Sequence, residues 1–356
     1  MSALIEFQSF NKFFGETQVL KGIDLSVQSG EVVVILGPSG CGKSTLLRCL
    51  NGLEVAHSGS LRFAGLELLD KTTDWRQVRQ AIGMVFQSYH LFPHMSVLDN
   101  VAYGLSVAGV AKKQAHEQAH ASLALVGLAD FSHRYPSELS GGQQQRVAVA
   151  RSLVLQPKVL LLDEPLSNLD TKLRRRVRDE IRDIQVKLGL TAVYVTHDQE
   201  EALAISDQII VMNRQVIAQQ GTPRQLFDAP ADDFVADFIC NANIVPGLVG
   251  PAHDGRLPCS IGNLRFALPD RGARGREVRF AVRPEAIWLA PARPDSALVA
   301  TVARATYLGR ETQYTLATPL GELFAVSHDL GTVYPQGSSV AVGVHEHGVA
   351  IIGGAA

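Results

Sequence analysis

The 356-residue sequence predicts an α/β domain built on a largely parallel sheet, followed by a small β-barrel or sandwich. Three observations carry that prediction. First, apolar runs such as Val32 to Leu36, Val159 to Leu162 and Ala192 to Thr196 alternate with longer helical patterns, Lys112 to Gly127, Gln143 to Leu155 and Lys172 to Leu188. That alternation is the signature of parallel strands joined by helical crossovers. Second, beyond about residue 243 the runs shorten, as in Val278 to Val282, Thr312 to Leu316, Leu323 to Val326 and Ser339 to Val344, with Gly and Pro turns between them. Third, composition changes at the same place: Lys187 is the last lysine, and residues 241–356 hold ten Arg, nine of the 16 Pro and 14 of the 31 Gly. The expected division is 1–240 and 241–356, with Thr222 to Cys240 forming short helices between the halves.

Composition bounds the function before any motif is read. Hydrophobic residues make up 46% and charged residues 19%, which argues against intrinsic disorder. The balance of 33 Lys+Arg against 35 Asp+Glu leaves a net charge of -2, and this weighs against a strongly basic nucleic-acid binder. Cys41, Cys49, Cys240 and Cys259 show no C-x-x-C spacing and are too few for a disulfide framework, so a reducing compartment is expected. Met1 to Phe10 alternates like a strand and carries Glu6, so a secretory leader is not expected. Nor does any stretch approach the roughly 18 apolar residues that span a bilayer.

The first chemical motif follows the first buried strand. Glu31 to Leu36 runs into Gly37-Pro38-Ser39-Gly40-Cys41-Gly42-Lys43-Ser44-Thr45, and a helical pattern begins at Leu46. This is G-x-x-x-x-G-K-[ST] in its proper strand-loop-helix setting. Glycines let the backbone wrap a phosphate so that successive N–H groups point inward, and the helix N-terminus adds a favourable dipole. Lys43 is then placed to neutralise β- and γ-phosphates, and Ser44 Oγ to ligate Mg²⁺.

Val159 to Asp163-Glu164 is an apolar run that closes on two adjacent acids, where a buried strand would not ordinarily place two charges. At the C-terminal end of a parallel strand, Asp163 can hold a nucleotide's Mg²⁺ while Glu164 faces an attacking water. Leu139-Ser140-Gly141-Gly142-Gln143, preceded by Pro136 and Ser137, is a second helix N-terminus suited to an anion. Taken singly it reads as ordinary helix capping. Beside a phosphate loop, it suggests a nucleotide held between two surfaces.

With these motifs in hand, the chain resembles the nucleotide-binding subunit of an ATP-binding cassette (ABC) transporter over residues 3–240. Gly37 to Thr45 is similar to the family's Walker A loop, Leu139 to Gln143 to its signature motif, and Val159 to Glu164 to its Walker B strand. Gln87, after Ile82 to Phe86, matches the Q-loop; Ser167-Asn168-Leu169-Asp170 matches the D-loop; His197, after Ala192 to Thr196, matches the switch histidine. Phe14, in Lys12-Phe13-Phe14-Gly15, stands where the family places an aromatic ring on adenine, with Phe13 the alternative. The basic run Arg174-Arg175-Arg176 reads as a solvated helix face.

The resemblance implies an α/β P-loop NTPase cassette with a helical subdomain, followed by a small all-β OB-like barrel domain. It implies an ATPase using ATP and Mg²⁺, with Glu164, His197, Gln87 and Lys43 in catalysis and Ser44, Gln87 and Asp163 at the metal. It further implies a head-to-tail homodimer in which Leu139 to Gln143 of one copy caps ATP on the loop of the other, with Asp170 in the D-loop between them. Two integral-membrane permease subunits would supply the channel, docking near Gln87 to Leu105, where Tyr89, Leu91, Phe92, Pro93 and Met95 are either a docking surface or subdomain core. The expected location is the cytoplasmic face of the inner membrane.

Residues 241–356 resemble the OB-like (TOBE) regulatory extension of bacterial import cassettes, best over Phe280-Ala-Val-Arg283-Pro284-Glu285-Ala-Ile287. That points to an importer served by a periplasmic or extracellular solute-binding protein. The extension would stabilise the dimer or sense solute; no nucleic-acid partner is expected, because aromatics there are scattered and lysine is absent. For the solute, the resemblance favours ferric iron, on Phe234 to Phe238 and Ala242 to Ile244, with polyamine or phosphonate as alternatives. A soluble ABC ATPase acting on nucleic acid or ribosomes is the competing class; a single cassette without a heptad run opposes it.

Overall fold

The computed structural model of the chain describes residues 3–167, 169–272 and 275–352. Its contacts divide the chain into two compact units, Met1–Pro223 and Arg224–Ala356.

In the first unit the chain opens with an antiparallel sheet. Strands β1 (Ile5–Phe14) and β2 (Thr17–Val27) form a hairpin, and β1 pairs on its other side with β4 (Ser58–Phe63), which is edged by β5 (Leu66–Glu67). Ile5 and Phe7 alternate into the core, and an irregularity in the pairing between Phe7 and Phe10 shifts the pattern so that Phe10 is buried as well. The second sheet has the order β10-β9-β3-β8-β7-β6. Its strands are β3 (Val32–Leu36), β6 (Ile82–Val85), β7 (Val159–Asp163), β8 (Thr191–Thr196), β9 (Gln208–Asn213) and β10 (Val216–Gly221). All pairings are parallel except the β9–β10 hairpin at the edge. Strands β3, β7 and β8 are buried along their whole length, as expected of parallel strands covered on both faces.

Helix α1 (Lys43–Leu50) follows β3, and its Leu46, Leu47 and Leu50 share one core with Phe7 and Phe10 of the first sheet and Val33 and Ile35 of the second. Helix α2 (Trp75–Ala81) leads into β6. The helical subdomain consists of α3 (Val97–Val107), α4 (Lys112–Leu125) and α5 (Gly141–Leu153), packed on one another. Helices α6 (Thr171–Leu188) and α7 (Gln199–Ile205) flank β8 in sequence. The helical patterns expected at 112–127, 143–155 and 172–188 are α4, α5 and α6.

In the second unit, α8 (Pro223–Asp228), which starts at the division, and α9 (Asp233–Cys240) precede ten strands. One five-stranded antiparallel sheet has the order β13-β12-β11-β14-β20, from β11 (Asn243–Val249), β12 (Arg256–Ile261), β13 (Leu264–Pro269), β14 (Glu277–Val282) and β20 (Val349–Ile351). The other, β15-β19-β16-β17-β18, comprises β15 (Ile287–Pro291), β16 (Val299–Tyr307), β17 (Thr312–Thr318), β18 (Gly321–Ser327) and β19 (Ser339–Val344). Both sheets face one core, in which Phe280 and Val245 meet Tyr314, Val302 and Val340. The unit boundary falls ahead of the two short helices, not after them. The reason is local packing: Ala236 of α9 belongs to a cluster with Ala281 and Ala350 of the β unit.

Candidate active site

The loop Gly37–Gly42 leaves β3 and ends at α1, and close packing sets its residue types. A Cβ on Gly37 would stand 2.4 Å from the Met212 carbonyl oxygen, and one on Gly42 would stand 2.6 Å from that of Val19. Gly42 also holds φ +106, which L side chains rarely adopt. Beneath the loop, Cys41 is buried, and burial pushes its thiol pKa up, so it packs as a small apolar side chain. Lys43 is buried, and its ammonium donates to the carbonyl oxygens of Gly37 (2.8 Å) and Pro38 (2.9 Å). Ser44 Oγ donates to Asp163 Oδ1 at 2.7 Å, so the loop and the end of β7 meet as sequence reasoning expects. Arg48, one turn further along α1, pairs with the other oxygen of Asp163 at 3.4 Å; nothing in the sequence marks it.

Glu164 stands at φ +46, a costly backbone conformation that turns the chain sharply off β7. Its N–H donates to the Val195 carbonyl of β8 at 3.0 Å. Four side chains then gather beyond the strand ends: Gln87 Nε2 donates to Glu164 Oε2 (3.4 Å) and to Ser167 Oγ (3.4 Å), and His197 Nδ1 lies 3.4 Å from Glu164 Oε2. Asp170 caps α6, its Oδ1 accepting from the Leu173 N–H. Asn168 lies outside the described residues.

Leu139 to Gln143 occupy another place in the unit. Leu139 is buried, while Ser140 caps α5 in a reciprocal capping box: Gln143 N–H donates to Ser140 Oγ, and Ser140 N–H to Gln143 Oε1. Ser140 and Gly141 are exposed. Among the described residues, no hydrogen bond or ion pair joins this cap to Gly37–Thr45. At the β1–β2 hairpin, Phe13 packs edge-on against His57, whereas the Phe14 ring is exposed beneath Lys12 Nζ.

Residues 20–167 match the family model of the ABC transporter, and residues 280–352 that of the TOBE domain. The Fe(3+) ions import ATP-binding protein FbpC of Rhizobium etli is 49% identical over 98% of this chain and 97% of its own. Its namesake from Photorhabdus laumondii is 42% identical over 88% and 86%. The chain belongs to the ABC transporter family. Among solved structures, cbiO1 of Clostridium perfringens, part of an ABC transporter complex, aligns with a TM-score of 0.60 and 31% identity, over 64% of this chain and 91% of that one.

As an ABC ATPase the chain hydrolyses ATP, and it works with membrane permease partners. Among the described residues, no helix is long and apolar enough to cross a membrane. The segment after Gln87 divides between core and surface. Tyr89 is buried, as subdomain core; Phe92 is half-buried against Tyr103, with ring centroids 4.7 Å apart, and Tyr103 is exposed. Asn100, fully buried in α3, shapes this segment by donating to the carbonyls of Phe92, Met95 and Ser96 while accepting from the Phe92 N–H.

The oxygens of Ser44 and Asp163 suit Mg²⁺, a hard cation that usually takes one or two protein oxygens and completes its octahedron with phosphate and water. No cluster of three or more His, Cys, Asp or Glu able to hold a metal occurs among the described residues.

Sequence reasoning missed the support of the His197 loop. Glu201 of α7 is buried and accepts from Tyr194 OH and Thr196 Oγ1, each at 2.5 Å; burial raises its carboxyl pKa and raises the Tyr194 phenol well above its usual value. The expectation of a solvated Arg174–Arg176 face holds for Arg175 and Arg176 and is corrected for Arg174. Arg174 is half-buried because α6 turns it back on the D-loop, where it donates to the Leu169 carbonyl and pairs with Asp198.

Proposed function

We propose that this chain drives ferric iron import, as a head-to-tail homodimer seated on two permease subunits at the cytoplasmic face of the inner membrane and served by a periplasmic or extracellular solute-binding protein. Nearly full-length similarity at 49% identity to an Fe(3+) ions import ATP-binding protein carries the reading. The exposed Ser140–Gly141 cap, unconnected to the loop of its own chain, supports a site completed by a second copy.

In this reading the N–H groups of Gly37–Thr45 cradle the ATP phosphates, and Lys43 swings from the Gly37 and Pro38 carbonyls to the β- and γ-phosphates. Phe14 stacks on adenine. Ser44 and Asp163, with Gln87, would hold Mg²⁺, which when bound neutralises charge growing on the γ-phosphoryl group. Glu164 orients and deprotonates the attacking water, and His197 steadies Glu164. Ser140, Gly141 and Gly142 of the second copy cap the γ-phosphate, so its loss on hydrolysis lets the dimer reopen. The first unit forms the motor, and the β unit, with α8 and α9, stabilises the dimer or senses solute.

Uptake of radiolabelled ferric iron, a polyamine and a phosphonate by a deletion strain tests the solute. Iron uptake should fail, return with the wild-type chain, and stay absent with Glu164→Gln. Loss of polyamine or phosphonate uptake instead would reassign the substrate.

A further inference from the structure

The loop carrying His197 is anchored on both sides. Ahead of it, Thr196 donates through Oγ1 to the buried Glu201 and accepts from the Asp198 N–H at 3.0 Å. Behind it, Asp198 caps α7, its Oδ1 accepting from the Glu201 N–H at 3.0 Å. These anchors lie within β8 and α7 and their junction, so by themselves they tie the loop only to its own neighbours. One further anchor comes from another element. Arg174, in the first turn of α6, pairs through Nη1 with Asp198 Oδ2 at 3.1 Å and donates through Nη2 to the Leu169 carbonyl at 3.0 Å.

Leu169 is in turn the D-loop residue that packs on the signature helix: its Cδ2 stands 3.4 Å from where a Cβ on Gly141 would be. A chain of contacts therefore runs from the signature cap through Leu169 and Arg174 to Asp198, the residue beside His197. Among the described residues, the buried Nε of Arg174 has no hydrogen-bond partner, so the side chain is held through its two Nη atoms. The two partners require a planar fork with separate donors, which arginine has and lysine lacks.

We propose that Arg174 is a positioning residue that couples the D-loop backbone to the His197 loop of the same chain, so that His197 meets Glu164 only when Leu169 is in place. This rests on the proposed role of His197 in steadying Glu164. The D-loop and signature cap lie where a second copy would dock, so the coupling makes hydrolysis respond to dimer closure.

The test measures steady-state ATP hydrolysis and fluorescent-nucleotide binding by the full chain in five forms: wild type, Arg174→Ala, Arg174→Lys, His197→Ala and the Arg174→Ala/His197→Ala double variant. Arg174→Ala should lower kcat about tenfold while KM and Kd for ATP stay within about twofold, because misalignment harms chemistry and leaves binding intact. Arg174→Lys should recover part of the loss. In the His197→Ala background, Arg174→Ala should cost less than about twofold more, since the two act as one unit. Unchanged kcat in Arg174→Ala, or two losses that multiply, overturns the coupling. Wild-type turnover in His197→Ala shows instead that the His197 assignment has failed, and the coupling falls with it. Should Arg174→Ala not fold, Asp198→Asn, which retains an α7 cap but loses the ion pair, is held to the same kcat and double-variant expectations.

Discussion

The two halves of the proposed nucleotide site are built differently. On the loop side, contacts are short and buried: Lys43 to the Gly37 and Pro38 carbonyls at 2.8 and 2.9 Å, and Ser44 to Asp163 at 2.7 Å, with Asp163 only 3% exposed. On the other side, Gln87 and His197 each reach Glu164 at 3.4 Å, and the His197 side chain is 59% exposed. One chain's strand ends and helix start suffice to shape a phosphate cradle. The groups proposed to surround the attacking water are held loosely by the single chain, as general acid–base contacts often are before the reactive complex tightens them.

The contrast makes separable predictions. Glu164→Gln breaks the loose half alone: turnover should fall roughly 10³-fold, with ATP binding kept and an ATP-bound dimer trapped. Gel filtration with MgATP showing only monomers would count against the shared site. Lys43→Ala breaks the buried half, and ATP affinity should drop about a hundredfold by equilibrium binding, from loss of charged hydrogen bonds to phosphate. An unchanged Kd would remove Lys43 from that role. Phe14→Ala sharpens the comparison at the periphery: affinity for ATP should weaken about fivefold, while Phe13→Ala, which loses the His57 contact, should lower thermal stability and leave affinity nearly unchanged. The reverse pattern would move the adenine contact to Phe13.

The buried half was the more legible in the sequence, because its chemistry is local. Gly37 to Thr45 and Val159 to Glu164 each carry strand, turn and polar residues within one contiguous run, and the structure joins them through Ser44 and Asp163. Legibility fell where a residue's meaning depends on distant packing. Glu201 reads as one of three acids near a helix start, until Tyr194 and Thr196 close on its carboxyl in the interior. Nothing in the sequence marks Asn100, yet it holds four backbone groups of the segment after Gln87. Arg174 sits in a basic run whose other two members face solvent. The antiparallel sheet of β1, β2, β4 and β5 was equally hard to foresee, since its pairings are set across turns and intervening helices.

By itself the sequence determined the largely parallel α/β class, the β-rich end, the phosphate loop and the two acids that close a strand, because strand burial, helix caps and glycine turns are written over a few consecutive residues. Only the tertiary structure decided that Arg48 shares Asp163 with Ser44, that α8 and α9 group with the β unit, and that Arg174 reaches both Leu169 and Asp198. In each case the deciding contact joins residues on different elements. A long polar side chain can serve solvent or a buried partner equally well until the fold brings that partner within hydrogen-bonding distance.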